Sequence, residues 1–110
     1  MYMFNVDDDV LIYLRGQHTG SENAVPSAKI ECLFGISGVA VRQIVNKLRC
    51  EGQPVCSDAN GYFYAKSKDE INGTISQLLG RTAKINAAAR GLVLSQRAFS
   101  NERAVIAGDS

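Results

Sequence analysis

The sequence has no tryptophan, one histidine, two prolines and three cysteines in 110 residues. Each scarcity removes a class of chemistry. The lone histidine, His18, lies in a polar, glycine-flanked stretch, so no Ser-His-Asp or Cys-His catalytic arrangement can be assembled around it. Cys32, Cys50 and Cys56 stand 18 and 6 residues apart. An odd count without a CxxC pair fits neither a disulfide framework nor a closed zinc site, and it suits a reducing, cytoplasmic setting. No glycine-rich loop ends in the Gly-Lys-Ser/Thr that cradles phosphates. We therefore expect no catalytic residues, no metal and no cofactor, and a protein that is not an enzyme. No apolar run approaches the ~18 residues that span a bilayer, so no membrane partner is expected. The segment from Met1 to Asp9 lacks the basic-then-apolar order of a secretory leader, and none is expected.

What is present is an ordinary globular composition, 45% apolar and 21% charged, with a net charge of +1. The length suits one domain rather than two, since domains commonly run to roughly 100–150 residues. The charge is uneven: residues 1–26 carry one base and four acids, whereas 27–66 carry five bases and three acids and 67–110 six bases and four acids. The last two-thirds leans towards anionic partners.

Helical spacing of Val10, Leu11 and Leu14 predicts a helix from Asp7 to Arg15. Three aspartates stand at its positive end, Arg15 at the other, and Gly16 is expected to stop it. Gln17 to Asn23 is polar or glycine throughout and is read as a surface loop. Ser27 is the expected cap of a short helix that turns Ile30, Leu33 and Phe34 inward and ends at Gly35. Ser37 caps the next helix, which is expected to bury Val41, Ile44, Val45 and Leu48 and to close at Arg49. Two helices joined by so short a glycine-containing turn form a helix-turn-helix pattern, which leaves the outer face of the second helix projecting. After Gly52 the period changes. Pro54–Ser57 and Tyr62–Ala65 read as strands around the turn Asp58-Ala-Asn-Gly61, where Asn60 and Gly61 can take positive φ. A hairpin placed directly after the second helix is a wing.

Ser67-Lys-Asp-Glu70 is a capping box that opens a long helix. Ile71, Ile75, Leu78, Thr82, Ile85, Ala89 and Leu92 follow at alternating steps of four and three, a heptad seam. Gly73, Gly80 and Gly91 weaken this helix by up to ~1 kcal/mol each. The expected fold is mainly α with a β-hairpin: a winged helix-turn-helix over 1–66, a long helix over 67–95, and a mobile, mostly polar tail over 96–110.

Phe34-Gly-Ile-Ser-Gly-Val-Ala-Val41, then Leu48-Arg-Cys-Glu-Gly52, then Asn60-Gly-Tyr62, resembles the winged-helix module of bacterial regulators, the biotin operon repressor family among them. The likeness covers about Val10 to Ala65, half of the chain. The layout of a small winged helix plus one long helix is also similar to that of phage-encoded DNA-binding and replication-organising proteins. The resemblance implies a sequence-specific double-stranded DNA-binding protein of a bacterial cytoplasm, either a small transcriptional regulator or a replication or recombination accessory encoded by a phage or prophage. Two positions depart from the family pattern. Gly38 follows the capping serine where the family has Arg, and the wing tip, Asp58 to Asn60, holds no Lys or Arg. The implied fold rests on glycines and apolar positions, and these are kept.

If the second helix buries Val41, Ile44, Val45 and Leu48, then Val39, Arg42, Gln43 and Asn46 face outward. Arg and Gln suit bidentate contacts with guanine and adenine, and Val39 or Ala40 suits a thymine methyl. Lys47 is placed for a phosphate, Arg49 for either Glu51 or a phosphate, and Lys66 and Lys68 flank the wing base. Phe63 is expected in the core, with Tyr62 or Tyr64 reaching a DNA backbone. The candidate DNA-binding set is thus Ser37, Val39, Arg42, Gln43, Asn46, Lys47, Arg49, Tyr62 and Lys66. The seam residues Ile71, Ile75, Leu78, Ile85 and Leu92 either pair two chains into a homodimer, the favoured reading, or fold back on the same domain. The three cysteines read as small buried hydrophobes. The competing functional class is a winged-helix protein-interaction module with no direct DNA contact.

Overall fold

Asn5 sets the start of the first helix, α1 (Val6–Gln17): its side chain accepts from the Asp7 amide at 2.9 Å. Asp7, Asp8 and Asp9 fill the first turn, where the exposed amides favour negative charge. The computed structural model describes residues 5–109, with side chains described through residue 98. Gly16 does not end α1. It keeps helical geometry, and the helix closes where the His18 amide donates to the Leu14 carbonyl at 2.8 Å. A glycine terminates a helix by turning left-handed, and Gly16 does not do so. Gly35 does, at φ 64°, and it ends the second helix, α2 (Ser27–Phe34).

Pro26, not Ser27, caps α2. Ser27 is the first helical residue, and its hydroxyl donates to Glu31 Oε2 at 3.0 Å. Of the three residues expected inward on α2, Ile30 is fully buried and Phe34 half-buried, but Leu33 is 57% exposed. A helix of eight residues makes little more than two turns, and Leu33 falls to one side of Ile30 and Phe34, which pack on the core. The third helix, α3 (Gly38–Cys50), is capped by Ser37, whose hydroxyl accepts from the Ala40 amide at 3.1 Å. It buries Val41, Ile44, Val45 and Leu48, all four as the spacing predicts. These pack with Val10, Leu14, Val25, Ile30 and Val55 in one core. Leu14 and Ile30 are wholly shielded, and each contributes about 1.5–3 kcal/mol through burial.

Strands β1 (Val55–Asp58) and β2 (Gly61–Tyr64) form the antiparallel hairpin, with Val55 opposite Tyr64 and Cys56 opposite Phe63. Both strands lie within one residue of their expected limits. The turn differs in chemistry: Asn60 does not take positive φ, and Asp58 Oδ1 holds the corner by accepting from the Asn60 amide at 2.8 Å.

The stretch expected to be a free surface loop is the main departure. The His18 carbonyl accepts from the Tyr64 amide, and Val25 and Tyr62 exchange two backbone bonds, all at 2.8 Å. A short 3-10 turn, Ser21–Asn23, lies between the two attachments. The free edge of β2 offers amides and carbonyls that need partners, and Val25 places an apolar side chain, 1% exposed, in the core as it supplies them.

The fourth helix, α4 (Lys68–Asp109), begins at the expected capping serine: the Glu70 amide donates to Ser67 Oγ at 3.3 Å. The Glu70 carboxylate then accepts from two amides, Lys66 and Ser21, each at 2.8 Å. Thr74, buried on α4, bonds the Ser57 backbone, and the Cys56 thiol faces the Glu70 carbonyl. The first turns of α4 are thereby fastened to the hairpin. The helix continues past residue 95 to Asp109, through most of the segment expected to be a tail; residue 110 and the side chains of the last stretch, among them Phe99, Val105 and Ile106, lie outside the described residues.

The chain divides into two compact units, Met1–Ile75 and Ser76–Ser110, where length alone suggests one domain. Among the described residues one core is formed, within the first unit. From 76 to 98 every described side chain is exposed except Leu78, which is half-buried.

Candidate functional site

Exposed polar side chains gather on the outward face of α3. Arg42, Gln43 and Asn46 are all exposed, on the side opposite the four buried residues. None of the three makes a hydrogen bond or ion pair among the described residues. Val39, one turn earlier, is 54% exposed. Gly38, where the resembled family carries Arg, faces Glu31: a Cβ there would lie 3.3 Å from Glu31 Oε2.

Lys47, Arg49 and Lys66, the other cations of the candidate DNA-binding set, are held by the protein itself. Lys47 Nζ donates to Asp7 Oδ2 at 2.6 Å, joining α3 to the first turn of α1, with the two side chains 58% and 17% exposed. That hydrogen bond, with the attraction of the Asp7 charge, raises the Lys47 ammonium above its ordinary value. Arg49 points towards the hairpin: Nε donates to the Val55 carbonyl at 2.8 Å and Nη2 to Ser57 Oγ at 3.1 Å. It pins the last turn of α3 to β1, a use of the guanidinium that sequence spacing did not suggest. Lys66 Nζ donates to Glu22 Oε1 at 2.7 Å, and that bond raises its ammonium too. Lys68 is exposed and makes no such contact among the described residues. Tyr62 and Tyr64 are half-buried and pack on the core, while Phe63 is 3% exposed.

Several residues that shape this surface were not visible as such in the sequence. Asp7 and Glu22 read as helix-end and loop acids, yet each neutralises a lysine more than 35 residues away in the chain. His18 reads as a loop residue. Its ring packs against Tyr13 at 4.7 Å, and its Nδ1–H donates to the Asn23 carbonyl at 2.7 Å. Only Glu70 carried a signal, through the capping box.

The expected seam on α4 is disposed unevenly. Ile71 and Leu78 are half-buried, whereas Ile75, Ile85 and Leu92 are 46%, 67% and 72% exposed. Of the cysteines, Cys56 is buried, but Cys32 and Cys50 are exposed, against the expectation of three buried thiols. Short helices cover one face only, and those two residues fall on the uncovered faces of α2 and α3.

Charge differs between the two units. Met1–Ile75 carries seven bases and nine acids, a net −2, and Ser76–Ser110 carries five bases and two acids, a net +3. Among the described residues no group of three or more His, Cys, Asp or Glu side chains is placed to hold a metal ion, and no helix is long and apolar enough to cross a membrane. Comparison with protein-family models, with curated proteins and with solved structures returned no match.

Proposed function

We propose that this chain is a sequence-specific double-stranded DNA-binding protein whose first unit acts as a winged helix-turn-helix, with α3 in the major groove. The observation that carries this reading is the outer face of α3, where Arg42, Gln43 and Asn46 stand exposed with no hydrogen bond or ion pair among the described residues, while the neighbouring Lys47 and Arg49 are held by the fold. Those three side-chain types are the ones whose donors and acceptors match guanine and adenine edges, and Val39 suits a thymine methyl. The pairing of Val25 with β2 supports the comparison with a wing, because it ties the hairpin to the segment that leads into α2. The role that fits is a small bacterial transcriptional regulator or a phage replication or recombination accessory, acting in the cytoplasm.

We further propose that the protein works as a homodimer through α4. Ile75, Ile85 and Leu92 are exposed at heptad spacing, and a dimer reads two half-sites where one short helix reads few base pairs. Light scattering at tens of micromolar is expected to give twice the chain mass, and Ile85→Asp a folded monomer. A monomeric wild type refutes the pairing.

Selection of bound sequences from random duplex DNA tests the main reading. A defined site should emerge, and Arg42→Ala should weaken binding to it by about 1–3 kcal/mol and relax preference at one base position. The net −2 of the first unit favours a second reading, a protein-interaction module. That reading takes over if no duplex is bound in a salt-sensitive way at low ionic strength.

A further inference from the structure

The first unit is an unusual place to look for affinity towards a polyanion. It is net negative, and Lys47, Arg49 and Lys66 are each committed to a partner within the fold. Between Glu70 and Glu102 the chain contains no acidic residue, and it carries Arg81, Lys84, Arg90 and Arg97. All four are exposed, and none makes an ion pair or hydrogen bond among the described residues. We propose that α4 beyond Ile75 is a second, sequence-independent nucleic-acid contact that binds the phosphate backbone through these four side chains. The proposal deepens the DNA-binding reading and rests on it: α3 supplies the choice of sequence, and α4 the electrostatic affinity.

The placement of the bases fits that task. Arg90 and Arg97, seven residues apart, share one flank of the helix and line an open groove with Asn86, Ala89, Val93 and Leu94. Arg81 and Lys84, three apart, share the other flank. Neither pair occupies a position of the Ile71–Leu92 seam, so contact with phosphate and pairing of two chains do not compete for the same residues. Guanidinium groups also match phosphate geometry, offering two parallel donors to two oxygens. With no acid between Glu70 and Glu102, no ion pair within that stretch has to be broken before phosphate binds.

A basic helix with an apolar stripe is also the pattern of a membrane-surface segment. Duplex DNA is favoured because the same chain exposes base-reading side chains on α3.

The test is the salt dependence of duplex binding by the full-length chain and by the R81Q/K84Q/R90Q/R97Q variant, with circular dichroism to verify that the variant stays helical. Each phosphate contact adds about 0.9 to the slope of log K against log salt, so the variant should lose about 3–4 in slope for each chain bound. Its preference for selected over scrambled sequence should persist. An unchanged slope overturns the α4 contact alone. Loss of sequence preference in wild-type protein, with a steep slope retained, overturns the α3 reading alone. Flotation on vesicles containing phosphatidylglycerol is the third arm: binding tighter than to duplex, abolished in the variant, overturns the proposal in favour of a membrane surface.

Discussion

Gly61 is the position where one added methyl group should do most damage. It stands at φ 131°, the first residue of β2, against the segment that Val25 contributes to the hairpin. A Cβ built there would lie 2.2 Å from the Val25 carbonyl oxygen, 2.5 Å from its carbon and 2.8 Å from the Pro26 nitrogen. All three are backbone atoms, so no side chain can rotate out of the way. Gly61→Ala must therefore push the 25–26 backbone off β2. That loses the two Val25–Tyr62 hydrogen bonds, worth about 0.5–1.5 kcal/mol each. It also adds left-handed strain and lifts Val25 part-way out of a core in which it is 1% exposed. We expect a loss of about 3 kcal/mol or more, a drop in thermal midpoint of about 10 °C or more for a domain of this size. Urea unfolding followed by circular dichroism measures it. Gly35→Ala is the control, because Gly35 is also left-handed at φ 64° but has nothing within 4 Å of a built Cβ. It should cost only the backbone strain, about 1–2 kcal/mol. Equal losses for the two variants would refute the close approach as the cause and leave backbone conformation alone.

Two further outcomes follow from the fold. The Lys66 and Ser21 amides that donate to Glu70 hold its carboxyl below the usual value of about 4.3. A depressed carboxylate pKa stabilises the fold above the unfolded-state value and loses that contribution as pH falls through the lower, folded-state value. Thermal midpoints of the wild type should therefore fall as pH drops below about 4.3, and Glu70→Gln should flatten that part of the profile; an identical profile would mean the junction between Ser21, Lys66 and α4 does not form. Among the thiols, burial raises the Cys56 pKa while Cys32 and Cys50 are exposed. A thiol reagent at mildly alkaline pH should thus label two cysteines quickly and the third only on unfolding; three equal rates would contradict the burial of the Cys56 face.

The four buried positions of α3, its serine cap, the left-handed Gly35 and the serine that opens α4 were all legible because each depends on residues within a turn or two of one another. Hydrophobic period and capping chemistry are local properties, and the chain carries them whatever it packs against. The candidate recognition face was legible for the same reason: once Val41, Ile44, Val45 and Leu48 point inward, helix geometry turns Arg42, Gln43 and Asn46 outward. The heptad spacing along α4 is equally local, and so is the acid-free stretch that follows Glu70.

Tertiary structure alone decided which charges are engaged and which edges are covered. Lys47 meets Asp7 across 40 residues of chain, Lys66 meets Glu22 across 44, and Ser21 meets Glu70 across 49. No periodicity links such pairs, because their proximity arises from the path of the backbone and not from spacing. The same holds for Val25, an isolated apolar residue after a polar run, which gains a role only when β2 presents an unpaired edge for it to complete. Sequence settled which faces the helices present, since side-chain direction on a helix is fixed by its own geometry. Folding settled how many of the lysines and arginines on those faces remain open to a partner, since a charge is neutralised by whatever the fold brings within a few ångströms of it.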